Sequence, residues 1–192
     1  AINVAARMIE SGCGNVMVAG GVESMSRAPF VVEKGKTAFD RTCEMFDTTI
    51  GWRFINQQLA NLHIPYSMGE TAENVAKQWK ISRENQDELA LASHLNASRA
   101  YEEGFYDDLV VEYQGITRDN NIRSDTSPEQ LAKLKPVFDR TNSGTMTAGN
   151  STPLTDGASA VLLASEEWAR QRSLPVLAFL TSAKVSAVDF VN

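Results

Sequence analysis

The sequence predicts an α/β fold, and three observations carry that expectation. Ile2, Ala5, Ala6 and Ile9 keep helical spacing from Ala1 to Glu10, and Ser11-Gly12 closes the stretch. A short continuous apolar run, Val16-Met-Val-Ala19, follows, and a helix leading into such a run reads as a buried parallel strand. A second apolar run, Ala158-Ser-Ala-Val-Leu-Leu-Ala164, comes late in the chain, directly after a polar loop ending in Asp156-Gly157.

Each element can be justified in order. Gly20-Gly21 is expected to end the first strand, and Val22-Glu-Ser-Met-Ser-Arg27 emerges at its carboxyl end, the side on which open α/β sheets bind ligands. Glu23 and Ser24 could equally serve turn hydrogen bonds there. Ala28 to Ser67 lacks clear periodicity but holds Phe30, Phe39, Phe46, Trp52, Phe54 and Tyr66. It is too apolar for a disordered linker and reads as a partly helical insertion that covers something. Met68-Gly69 opens a helix with Ala72, Val75, Ala76 and Trp79 on one face. Ser82 is placed to N-cap a longer helix with Glu84 in its first turn and Gly104 at its end. Its stripe is Ala90, His94, Ala97 and Tyr101, and His94 there reads as a packing histidine rather than a catalyst. Leu109 to Tyr113 is strand-like, and Pro128 to Lys135 a short helical piece. Ser165 can cap a helix from Glu166 to Arg172, and Val176 to Leu180 and Ala183 to Phe190 are strand-like.

The totals exclude several function classes. With 192 residues and 43% apolar composition the chain can build a real core. A net charge of −6 without a long basic run leaves no electrostatic footprint for nucleic acid. No apolar run approaches the roughly 18–20 residues of a membrane span. The two cysteines, Cys13 and Cys43, and the two histidines, His63 and His94, form no metal-ligand spacing or nucleophile–base motif. No disulfide framework is expected, and a reducing interior compartment fits better. Phosphate loops and dinucleotide fingerprints are absent. The chain opens in what reads as mid-helix, so an excerpt of a longer protein is expected. The loop from Thr147 to Ala158 has short polar side chains and almost no bulk, which suits a grip on a slender ligand through backbone and hydroxyl groups, or an ordinary loop between strands.

Five blocks then carry a family resemblance. Gly20-Gly-Val-Glu-Ser-Met-Ser26, Ser67-Met-Gly-Glu-Thr-Ala-Glu-Asn74, Ile81-Ser-Arg-Glu-Asn-Gln-Asp87, Leu131-Ala-Lys-Leu-Lys-Pro136 and Thr147-Ala-Gly-Asn-Ser-Thr-Pro-Leu-Thr-Asp-Gly-Ala158 closely resemble the thiolases, in the right order and over essentially the whole chain. The resemblance implies the thiolase fold: part of the N-terminal αβα half at 1–27, an inserted, mostly helical loop domain over the CoA site at 28–138, and a return to the N-terminal core with the start of the C-terminal domain at 139–192.

It also implies acyl transfer between a 3-ketoacyl-CoA and CoA, or the reverse condensation, through an acyl-cysteine in fatty-acid β-oxidation or related lipid metabolism. The family's catalytic cysteine would lie just upstream of Ala1 and its other catalytic motifs beyond Asn192, so this chain is expected to hold no catalytic residue and no cofactor, coenzyme A being a substrate. Residues matching the family's CoA-contacting positions are Met68, Arg123, Phe138, Ala148, Thr152 and Leu154. Ser67 stands where many members have histidine. Arg123 would stack on the adenine, Phe138 would lie beside the pantetheine and Thr152 would offer it a hydroxyl. Met68 and Phe138 could instead be core packing, and Arg123 a solvated charge. The implied partners are acyl-CoA and CoA and a second copy in a homodimer or homotetramer, and a hydratase/dehydrogenase subunit is a further one that the resemblance allows. The implied location is the cytoplasm, or the mitochondrial matrix if the source is eukaryotic. A non-catalytic thiolase-like binding protein and a docking subunit are the competing readings. Asp47 to Arg53 resembles segments of members acting on short or dicarboxylic acyl chains, and Asn120 to Phe138 resembles β-oxidation members.

Overall fold

The computed structural model describes residues 1–62 and 64–187. Two compact units are present among the described residues, one formed by Ala1–Ile50 with 154–187, the other by the described part of Gly51–Pro153.

In the first unit, α1 (Ile2–Glu10) leads into β1 (Val16–Glu23), which pairs with β4 (Gly157–Ala164) from Val16↔Ala164 to Glu23↔Gly157. This pairing corrects two expectations. The ladder is antiparallel, not parallel, and β1 runs through Gly20-Gly21 instead of stopping there. An apolar run states that a strand forms but not which way its partner runs, and eight paired positions outweigh the poor strand preference of two glycines. Nor is β1 wholly buried: Ala19 is buried, whereas Val18 is 71% exposed. Past β1, the turn at Met25–Arg27 is tied to the loop before β4. The Ser26 amide and hydroxyl donate to the Asp156 carboxylate at 2.9 and 2.5 Å. These bonds, the hydroxyl's first, hold the Asp156 carboxyl below its ordinary value. A short hairpin, β2 (Phe30–Val32) with β3 (Met45–Asp47), and α6 (Glu166–Gln171) complete the unit. Ser165 caps α6 as expected, its hydroxyl accepting from the Trp168 amide.

The second unit is mostly helical: α2 (Gln57–Leu62), α3 (Met68–Trp79), α4 (Arg83–Glu102) and α5 (Pro128–Ala132). Ser82 caps α4 and Gly104 follows its end at φ +73°, both as the spacing predicts. The α4 stripe of Ala90, His94, Ala97 and Tyr101 is half-buried, with Asp87 and Ser98 buried beside it. On α3 the expected face is only partly inward. Ala76 is buried, but Val75 and Trp79 are exposed and Glu73 takes the interior position.

Three strand-like runs are not strands. Leu109 and Val110 turn back onto the Tyr106 carbonyl, and Tyr113 makes an isolated bridge with Ile116. Val176–Leu180 and 183–187 carry no ladder; the end of the Ala183–Phe190 run lies outside the described residues. A β-branched or apolar run becomes a strand only when another strand supplies its hydrogen bonds, and none does so for these stretches among the described residues.

Candidate functional site

The second unit is organised by how α3 and α4 hold the loop at 145–152. Ser67 N-caps α3 in a reciprocal capping box: its hydroxyl accepts from the Glu70 amide at 3.3 Å, and the Glu70 carboxylate accepts from the Ser67 amide at 2.7 Å. The same box appears at α5 between Ser127 and Gln130. Both were legible as Ser-x-x-Glu/Gln spacing but were overshadowed by other readings of those blocks.

Met68, the first residue of α3, is 77% exposed. Next to it, Gly69 backs directly onto the Phe138 ring, so closely that a Cβ at Gly69 would run into it. Phe138 is 41% exposed, with one side of its ring thus covered and the rest open. The chain carrying it is joined to the loop by the Val137 amide donating to Met146 O at 3.0 Å and by a bridge between Pro136 and Thr147. Ser67, Met68, Phe138 and Ala148 are therefore tied into one local framework, with exposed Thr152 just downstream in the same unit. Arg123 is fixed differently. Its amide donates to His94 Nδ1 at 3.2 Å, which anchors the Arg123 backbone to α4 and leaves its side chain exposed. His94 is a half-buried packing residue, as its place on the α4 stripe implies. Leu154, 57% exposed, belongs to the first unit.

What holds the loop is a set of buried polar groups that the motif reading passed over. Glu73, 2% exposed, accepts from the Thr145 amide at 3.0 and 3.1 Å, from the Thr145 hydroxyl at 3.0 Å and from the Met146 amide at 2.8 Å. Gln86 donates to the Thr145 hydroxyl at 3.1 Å. Thr147 is fully buried, and its hydroxyl accepts from the Gly149 and Asn150 amides at 3.2 and 3.3 Å. The backbone's close approach at Gly149 is made toward the Leu131 and Leu134 side chains, where a Cβ would not fit without their moving. The small residues of this loop thus serve packing as well as any ligand.

At the edge of the framework, Lys77 Nζ donates to the Asp139 carboxylate at 2.5 Å. This bond, then those from Thr141, hold the Asp139 carboxyl far below the ordinary carboxylate range, and the Lys77 ammonium is raised by the same contact. A carboxyl depressed in the folded state adds stability above its unfolded value, near 4, and loses that contribution as pH falls toward the folded value. The melting temperature is therefore expected to fall as pH is lowered below about 4. In a Lys77→Gln variant the fall should be shallower. A pH profile identical in the variant and the parent chain would count against this contact.

Cys13 and Cys43 are both free and exposed. The Cys13 sulfur lies 3.4 Å from the Ser11 hydroxyl, His94 is occupied by Arg123, and His63 lies outside the described residues. Among the described residues no cluster of His, Cys, Asp and Glu could hold a metal ion, and no helix is long and apolar enough to cross a membrane. A depression of about 610 Å³ on the first unit is lined by Ala19, Gly20, Gly21, Ser159 and Ala160 among others, small residues with no acid or base side chain.

Comparison with known proteins decides the family. Residues 1–167 match the family described as thiolase, N-terminal domain. The chain belongs to the thiolase family. Its α/β architecture is that of the N-terminal half of thiolase structures. The 3-oxoadipyl-CoA/3-oxo-5,6-dehydrosuberyl-CoA thiolase of Escherichia coli K12 is 44% identical over 98% of this chain and 49% of its own length. A 3-ketoacyl-CoA thiolase of Yersinia enterocolitica is 40% identical over 97% of this chain and 47% of its own. The crystal structure of human mitochondrial 3-ketoacyl-CoA thiolase in complex with CoA superposes with a TM-score of 0.76 at 31% identity, covering 91% of this chain and 43% of that one. Bacillus anthracis acetyl-CoA acetyltransferase gives 0.75 at 37% identity over 91% and 45%. The chain spans about half the length of the curated relatives it matches.

Proposed function

We propose that this thiolase chain supplies the coenzyme A-contacting part of an acyltransferase that cleaves a 3-ketoacyl-CoA with CoA, or runs the reverse condensation. The supporting observation is geometric. Ser67, Met68, Phe138 and the Thr147–Thr152 loop share one framework, with Met68, Ala148 and Thr152 exposed on it. Met68 and Phe138 would line the pantetheine, Ala148 and Thr152 would meet it through backbone and hydroxyl, and Arg123 would lie against the adenine. Leu154 is the remaining position that the family resemblance assigns to coenzyme A. Ser67 commits one acceptor site of its hydroxyl to the α3 cap, which leaves its O–H and a second lone pair for the ligand. The loop domain would span 28–138, flanked by core segments at 1–27 and 139–192.

Acyl transfer itself needs a thiolate activated by a base. Cys13 and Cys43 are free and exposed, and in this proposal the thiolate and its base are groups outside this chain, as the family resemblance implies. The β-ketoadipyl names of several relatives and the Asp47–Arg53 stretch point to a short or dicarboxylic acyl chain. Homo-oligomerisation, docking of a hydratase/dehydrogenase subunit and a cytoplasmic location belong to the same proposal for the intact enzyme.

Two measurements test it. Calorimetric titration of CoA into the 192-residue chain is expected to show binding that Met68→Ala and Arg123→Glu each weaken; no binding, or binding indifferent to both changes, overturns the site. A coupled acetoacetyl-CoA cleavage assay is expected to show no turnover. Turnover abolished by replacing Cys13 or Cys43 would place the chemistry inside this chain after all.

A further inference from the structure

One amide side chain makes three of the contacts that hold the loop on which the coenzyme A reading depends. Asn150 Oδ1 accepts from the Thr147 amide at 2.7 Å, and its Nδ2 donates to Thr145 O at 3.1 Å and to Asp87 Oδ1 at 3.0 Å. Both amide hydrogens and one oxygen lone pair are thus committed. Asp87 is 7% exposed, and its other oxygen accepts from Arg83 Nε at 2.8 Å. Arg83 in turn donates to the carbonyls of Leu131 and Leu134 at 2.7 and 3.1 Å. A continuous line of hydrogen bonds therefore runs from α5 through α4 into the loop, ending two residues from Ala148 on one side and two from Thr152 on the other.

We infer that Asp87 and Asn150 are positioning residues for the coenzyme A site, setting the geometry at which the loop presents Ala148 and Thr152 to the ligand. The inference rests on the reading of that loop as a coenzyme A contact. Neither residue need touch the ligand. Asn150 fixes the loop from inside by spanning Thr145 and Thr147, and Asp87 fixes Asn150 by demanding its donor face. The arrangement is directional: an acceptor at position 150 would face the Asp87 carboxylate and the Thr145 carbonyl, two further acceptors.

That directionality gives the test. Asn150→Asp keeps the shape and reverses the donor face. In the 192-residue chain it is expected to speed amide exchange at Thr147, Gly149 and Asn150 by at least about tenfold. It should also weaken CoA binding of the folded fraction by at least about tenfold. Asp87→Asn combined with Asn150→Asp restores a donor opposite an acceptor between positions 87 and 150 but leaves the Thr145 carbonyl facing an acceptor, so it should recover part of both losses. If Asn150→Asp does not fold, the swapped pair is compared with the parent chain alone. A swapped chain that folds and regains part of the parental exchange protection and affinity supports the pair, and one that is unfolded or no better than Asn150→Asp overturns it. Unchanged loop exchange in Asn150→Asp overturns positioning outright. Unchanged CoA affinity despite a loosened loop overturns the link to the ligand. The exchange measurement needs no ligand. A parent chain that fails to bind CoA while the exchange pattern holds thus removes the ligand assignment and leaves Asp87 and Asn150 as the loop's fasteners.

Discussion

Glu73→Ala is expected to lower stability by about 3 kcal/mol, because it strips partners from buried backbone donors without replacing them. In the folded chain the Glu73 carboxylate receives the amides of Thr145 and Met146 and the Thr145 hydroxyl, all neutral donors. Alanine leaves both amides facing an apolar gap. The Thr145 hydroxyl keeps the bond it accepts from Gln86 but loses the acceptor for its own hydrogen. For a unit of this size the melting temperature should drop by roughly 12 °C or more. Glu73→Gln separates hydrogen bonding from charge. Its amide oxygen can keep both backbone donors, so it should cost about 1 kcal/mol. Thermal melts followed by circular dichroism decide the matter. A drop below roughly 4 °C in the alanine variant, or equal drops in both variants, would show that the carboxylate does not hold the loop in this way.

Leu131→Ala is expected to cost a similar amount, about 3 kcal/mol, for a different reason. Leu131 is 4% exposed and its Cδ2 is pressed against Gly149, so truncation opens a cavity beneath the loop. Arg83 binds the carbonyls of Leu131 and Leu134, not their side chains, so α5 should remain in place and helix content should hardly change. Packing and anchoring are thereby separable. Gly149→Ala should cost somewhat less in the Leu131→Ala background than alone, since one of the two side chains in the way of the new methyl is gone while Leu134 stays. A double-mutant cycle on the melting free energies reads that coupling, and strict additivity would mean the two positions do not share the space.

The helices were the readable part of this fold, because their signals are local. Ser82 with Glu84 and Ser165 with Glu166 announce helix starts within four residues, and the structure has them there. Strand partners are not local. β1 and β4 are separated by more than half the chain, and nothing in Val16–Ala19 records that Ala158–Ala164 will lie antiparallel beside it. The runs at Leu109–Tyr113 and Val176–Leu180 have strand composition without a strand's partner, so composition misled. Carboxylates hid the most. Glu73 and Asp87 look like ordinary solvated residues of α3 and α4, and only the positions of Thr145, Met146 and Asn150 explain their burial. As for the site, the five blocks revealed the family, while the individual roles of Ser67, Met68, Arg123, Phe138, Ala148, Thr152 and Leu154 remain proposals for the titrations described above.

The saturation of the Thr145–Asn150 loop by Glu73, Gln86, Asp87 and its own hydroxyls has a thermodynamic corollary. A segment with this many of its polar groups already bonded has little conformational freedom left to surrender when a guest arrives. Association at this loop should therefore carry a small ordering penalty on the protein side, so that modest contact area yields useful affinity. If coenzyme A docks here as proposed, its flexible pantetheine arm, rather than the polypeptide, bears most of the entropy lost.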